Sequence, residues 1–171
     1  MREAYVIDAD RTPRGRRSQP KHGFVGEFAN IHPATLGVAL VNALLERNPT
    51  LPPEKVEDLF YSVVLAEKEQ AANMGRTIVL SSNLPVTSSG ITMNRACSGA
   101  MQAIAFANAS IRIGDYDILM AGGGEHMNMC PIDGEMDFDH LPFPQEMVAK
   151  NNLVTQGQSA EMIVDLSLIH I

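Results

Sequence analysis

Ile91-Thr92-Met93-Asn94-Arg95-Ala96-Cys97-Ser98-Gly99-Ala100-Met101-Gln102-Ala103-Ile104 is the stretch that decides the fold. Ile91-Thr92-Met93 reads as a short strand that passes through Asn94-Arg95-Ala96 directly into a helix predicted over 100–113. That helix is apolar on nearly every side (Met101, Ala103, Ile104, Ala105, Phe106, Ala107, Ala109, Ile111), the mark of a buried helix. Gly114 supplies a left-handed cap, and Asp115-Tyr116 leads into a strand predicted over 117–121.

Working back from Ile91, a helix over 73–82 is closed by Asn83-Leu84-Pro85. Val56, Leu59, Phe60 and Val63-Val64-Leu65 suggest the strand before it, and Leu51-Pro52-Pro53 is a connector. Pro33 opens an earlier helix with Leu36, Leu40, Val41, Leu44 and Leu45 at helical spacing, stopped by Asn48-Pro49. Ala4 to Ala9 reads as a buried strand ended by Asp10-Arg11-Thr12-Pro13. The order β-α-β-α-β-α-β predicts an α/β fold, a sheet layered with helices on both faces.

Beyond Gly122 the pattern breaks. Residues 125–156 carry Met127, Met129, Met136 and Met147, with Pro131, Pro142 and Pro144 and no clear period, and a helix begins at Gln158. The expected division is an incomplete α/β domain over 1–124, the start of a loop subdomain over 125–165, and a tail over 166–171.

Composition narrows the function. The 171 residues are 45% hydrophobic and 19% charged, an ordinary globular balance. Aromatics are scarce at 5% with no Trp, so the core must be built from small side chains and methionines. A formal net charge of -7 argues against a nucleic-acid partner. The one basic cluster, Arg11, Arg14, Arg16, Arg17 and Lys21, lies in a Pro/Gly-containing stretch and reads as a solvated loop, with a phosphate-attracting loop as the sharper alternative. Two cysteines, Cys97 and Cys130, cannot build a disulfide framework, and with no apolar signal or membrane-spanning run the expectation is cytoplasmic, without a membrane partner.

Cys97 sits where a strand ends and a buried helix begins. A helix N-terminus presents unpaired N–H groups and a positive partial charge, and both favour the nucleophilic thiolate. The Cys97 N–H would help bind an oxyanion, and Gly99 leaves room for close approach. On these grounds alone an inert packing cysteine fits somewhat better than a reactive one. Gly122-Gly123-Gly124 lacks dinucleotide-loop spacing, and His126, Cys130 and His140 form no regular ligand set, so neither a dinucleotide nor a metal is expected.

The run from Asn94 to Ile104 resembles the acyl-enzyme signature of thiolases. The likeness continues through Ile111, Gly114 and Asp115 to Ala121-Gly122-Gly123-Gly124-Glu125-His126-Met127 and Pro131. Arg11-Thr12-Pro13 with Gly15 resembles the family's opening motif, and Asn73-Met74-Gly75-Arg76 its helix before the nucleophile strand. Blocks in the right order thus span about residues 1–165. The resemblance implies that Cys97 takes the acyl group from a 3-ketoacyl-CoA, releases acetyl-CoA, and passes the acyl group to a second CoA. It implies coenzyme A as substrate rather than cofactor, no metal or prosthetic group, and a homodimer or homotetramer. His126, where short-chain enzymes usually carry Ser, and Asp137-Phe138 lean toward the degradative enzymes. Gln158-Ser159-Ala160-Glu161 resembles the helix start beside the CoA pocket, although Gln156 stands where Met is usual.

The family's second half supplies a Gly-His-Pro histidine, an asparagine and a Cys-x-Gly cysteine, and none of these occurs here. Leu166-Ser167-Leu168-Ile169-His170-Ile171 leaves the family pattern, so the expectation is a truncated reading with a foreign ending, close to inactive alone. The alternatives are a ketoacyl synthase on the same fold and a non-catalytic thiolase-like lipid-binding protein.

Overall fold

The structure, a computed structural model, describes residues 2–131, 143–151 and 153–167. It divides into two compact units, Met1–Gly134 and Glu135–Ile171. In the first, three parallel strands form a sheet in the order β2-β1-β3: β1 is Asp58–Ser62, β2 Ser89–Met93 and β3 Leu119–Gly123. The register sets Phe60 beside both Ile91 and Ala121. Three helices connect or precede them: α1 Pro33–Arg47, α2 Met74–Ser81 and α3 Gly99–Ile113.

The helix limits follow from local chemistry. Pro33 pre-sets the first turn of α1, and the His32 ring caps it by accepting from the Ala34 N–H at 3.1 Å. Asn73 caps α2 by accepting from the Arg76 N–H at 3.0 Å. Gly114 ends α3 at φ 89°, a conformation that glycine adopts without strain.

Right-handed crossovers place the helices on opposite faces, because α2 steps from β1 out to β2 while α3 returns across β1 to β3. The alternation along β1 agrees. Leu59 and Val63 join Val41, Leu45, Met74, Ile78 and Val79 in one core beneath α1 and α2. On the other face, Ser62 meets Gly99 at the start of α3. The buried Asp58 accepts from the Tyr116 hydroxyl at 3.0 Å, and Phe60 stacks edge-on against Tyr116.

Two expectations need correction. The segment Ala4–Ala9 forms no strand, and Tyr5, Val6 and Ile7 are 76%, 81% and 68% exposed. Its apolar residues suit a sheet, but a strand exists only through a partner's backbone, and none of the described residues offers one. The segment is instead held at its ends. The Arg2 N–H donates to the Arg112 carbonyl and its guanidinium pairs with Asp117, while Asp8 pairs with Arg47 and accepts from Asn48 Nδ2 at 2.8 Å. Helix α3 is not buried all round either: only Gly99, Ala103 and Ala107 are, because the sheet covers one side and no described layer covers the other.

The second unit contains α4, Gln145–Lys150, and α5, Gln156–Ser167, neither with a buried residue. Gln158 Oε1 accepts from the Thr155 N–H at 3.0 Å and brackets the start of α5. Met136, Asp137-Phe138, His140, Pro142 and residues 168–171 lie outside the described residues. No described helix is long and apolar enough to cross a membrane.

Candidate active site

Cys97 is a free, exposed thiol on the turn between β2 and α3, one residue before Ser98, the N-cap of α3. The turn is tightly made. Ala96 has φ 45°, left-handed for a residue with a Cβ, which costs about 1–2 kcal/mol. The Ser98 N–H and hydroxyl both donate to the Arg95 carbonyl, at 3.2 and 3.0 Å, and the Gly99 N–H donates to the Ala96 carbonyl at 3.1 Å. A non-glycine residue held left-handed beside a candidate nucleophile is strain stored at a site, the pattern expected where a side chain must be presented outward.

Gly99 explains how α3 can start so close to the sheet. A Cβ there would overlap Ser62 Oγ. The room expected at Gly99 for a second backbone or a substrate is therefore occupied by a side chain of β1.

The ends of all three strands are tied together by side chains. Asn94, just past β2, donates from Nδ2 to the Val64 carbonyl at 2.6 Å and accepts on Oδ1 from the Ala96 N–H at 2.8 Å. Glu125, just past β3, accepts from the Val64 N–H at 2.6 Å, the Leu65 N–H at 3.1 Å and Gln70 Nε2 at 2.9 Å. Gln70, 1% exposed, also donates to the Leu65 carbonyl at 2.8 Å and accepts from the His126 N–H at 2.7 Å. At the start of α2, Asn73 Nδ2 donates to the Gly90 carbonyl at 2.7 Å and Thr92 Oγ1 accepts from the Gly75 N–H at 3.0 Å, which locks that helix to β2.

A cavity of about 400 Å³ opens near these strand ends, lined by Tyr61, Gln70, Met74, Glu125, His126 and Arg14 among others; Cys97 is not among its lining residues. Burial, helped by the negative Glu125, pushes the Tyr61 phenol up to about 12, so it remains a neutral donor.

Of the other residues singled out in the sequence, His126 is buried with both ring nitrogens engaged. Nδ1 accepts from the Met129 N–H at 3.2 Å, so Nε2 carries the proton and donates to the Phe28 carbonyl at 3.0 Å. Cys130 is fully buried, with its thiol 3.3 Å from the Glu67 carbonyl, and burial pushes its pKa up. In the basic loop, Arg16 is bound to Glu27 and stacks over Phe24 at 4.3 Å, while Arg14 and Arg17 line the cavity. Among the described residues, no group of three His, Cys, Asp or Glu is placed to hold a metal.

The family model described as "Thiolase, N-terminal domain" matches residues 4–165. A 3-ketoacyl-CoA thiolase of Marinobacter nauticus is 39% identical over 166 residues, covering 96% of this chain and 40% of the relative. One from Idiomarina loihiensis is 37% identical over 163 residues, covering 95% and 40%, and one from Pseudoalteromonas atlantica is 38% identical over 138, covering 81% and 34%. The chain thus spans about 40% of the length of the first two of these relatives.

Proposed function

This chain belongs to the thiolase family through its N-terminal domain, and from that premise we propose that it carries the nucleophile of a 3-ketoacyl-CoA thiolase, Cys97. The supporting observation is the exposed thiol on a left-handed turn between a parallel strand and the start of α3.

In the proposed reaction the Cys97 thiolate adds to the 3-keto carbon of a 3-ketoacyl-CoA. The C2–C3 bond breaks, and its electron pair leaves as the acetyl-CoA enolate, which takes up a proton. The acyl group is then a thioester on Cys97. A second CoA thiolate attacks it, and Cys97 leaves. Splitting C–C cleavage into two transfers on sulfur lowers each barrier. The N–H groups of Ser98 and Gly99 are taken by the Arg95 and Ala96 carbonyls, so in this scheme the backbone N–H of Cys97 itself is the donor to the charge that develops on the carbonyl oxygen. Coenzyme A enters as substrate, and the scheme calls for no metal or prosthetic group.

We carry three further readings in the same proposal. The protein works in the cytoplasm. Its longer form is a homodimer or homotetramer. Its residues divide as 1–124 α/β domain, 125–165 loop subdomain start and 166–171 foreign tail. The general base and the second acid/base cysteine belong to sequence motifs absent from these 171 residues, so the chain alone accepts an acyl group but does not complete the cycle.

Incubation with acetyl-CoA followed by peptide mass spectrometry tests this. An acetyl group is expected on the Cys97 peptide and not on Cys130, and Cys97→Ala removes it. Acetoacetyl-CoA with CoA should yield no sustained turnover. Absence of the Cys97 adduct would overturn the nucleophile, and Cys97-dependent turnover would overturn the assignment of the base to another segment.

A further inference from the structure

We infer that Asn94 is a positioning residue for acyl transfer: it fixes the Cys97 turn by bridging the end of β2 to the backbone after β1, on a footing that Glu125 holds from β3. The inference rests on the proposed role of Cys97. The geometry is a continuous chain of hydrogen bonds. Glu125 accepts from the N–H groups of Val64 and Leu65, Asn94 donates to the Val64 carbonyl, and its own oxygen accepts from the N–H of Ala96. Ala96 is the left-handed residue, at φ 45°, and Cys97 follows it.

Asparagine suits this task because one amide supplies a donor and an acceptor in a single rigid plane. Its bond to the N–H two residues on is the local turn that Asn and Asp favour, and it stabilises a conformation Ala96 would otherwise leave. The bond to Val64 does something the local turn cannot. It refers the turn to a strand that also carries Ser62, against which α3 begins at Gly99. The thiol and the backbone N–H of Cys97 are thereby held in one frame. Attack on a thioester carbonyl needs both, because sulfur approaches carbon while the N–H receives the oxyanion. Attack on an alkyl halide needs the sulfur alone, because no oxyanion forms.

That difference supplies the experiment, on the chain itself. Two pseudo-first-order rates are measured on Cys97 and on glutathione at one pH. The first is acylation by an aryl thioacetate, in which the S–acyl bond forms and arylthiolate leaves. The second is alkylation by iodoacetamide, in which iodide leaves. The ratio of acylation to alkylation, divided by that of glutathione, is expected near tenfold for the unaltered chain. Asn94→Ala should bring it close to one with alkylation changed less than twofold, and melting temperature reports whether the fold is kept. Asn94→Asp retains the acceptor for Ala96 but cannot donate to Val64, so it should fall between, near threefold. Should Asn94→Ala unfold, Asn94→Asp and Glu125→Gln decide, each expected to lower the ratio.

An unaltered ratio in the folded variants would overturn the positioning role while leaving Cys97 as nucleophile. Acylation and alkylation falling together would overturn it too, since that marks loss of the thiol's exposure. A ratio of one in the unaltered chain would overturn the functional reading and the inference with it.

Discussion

Helices α2 and α3 are both rich in apolar residues and both lie on the same small sheet, yet they are buried very differently. In α2, Met74, Ile78 and Val79 are 1%, 0% and 0% exposed, whereas in α3 Met101, Ile104 and Phe106 are 73%, 52% and 49% exposed. The cause is the number of neighbours. Helix α2 is clamped between the sheet and α1, so close that a Cβ on Gly37 would overlap the Ile78 side chain. Among the described residues helix α3 has the sheet as its one packed layer, and its buried side is reduced to Gly99, Ala103 and Ala107. Apolarity decides which surfaces a helix can bury; the second partner decides whether it does.

The largest expected effect tests that contrast directly. Ile78→Ala should destabilise the chain by about 2–5 kcal/mol, because a wholly enclosed side chain leaves a cavity. Met101→Ala on the open side of α3 should stay within about 0.5 kcal/mol. Urea unfolding followed by circular dichroism gives both values, and similar losses would break the contrast. An intermediate effect is expected at the tight contact of α3 with β1. Gly99→Ala should cost about 1–3 kcal/mol by forcing the new methyl into Ser62. Pairing it with Ser62→Gly should recover part of that loss, a non-additivity that two independent sites would not show.

The same physics explains what could be read in advance. Helix ends were legible because Pro33, Asn48, Asn73 and Gly114 act locally, through a fixed φ, a cap or a left-handed stop. The strands at Asp58–Ser62, Ser89–Met93 and Leu119–Gly123 stood out as apolar runs, though their limits shifted by two residues or so. Strand pairing is non-local, and so the N-terminal segment misled: Tyr5, Val6 and Ile7 have the composition of a strand without a ladder to join. Cys97 was visible from its place between strand and helix. The groups that hold it were not, because Glu125, Val64 and Asn94 are distant in sequence and meet only when three strand ends converge. Only the bond from Asn94 to Ala96 had a local signal, an asparagine two residues before a turn.

The smallest expected effect separates the two sides at the N-terminal segment. Its far end is held beside α1 by Asp8, whose carboxyl lies below its ordinary value, chiefly because Asn48 donates to it, with help from the Ala9 N–H and the Arg47 charge. A carboxylate with a depressed folded-state pKa contributes stability above its unfolded value, near 3.8, and loses it as pH falls through the lower folded value. Acidification below about pH 4 should therefore release residues 8–10 from the end of α1 while the Ile78 core persists. Hydrogen exchange of the N-terminal peptide, corrected for intrinsic rates, should rise over that window. In Asp8→Ala it should already be fast at neutral pH and show no acid step. An identical acid step in that variant would show that the release does not depend on the Asp8 carboxylate.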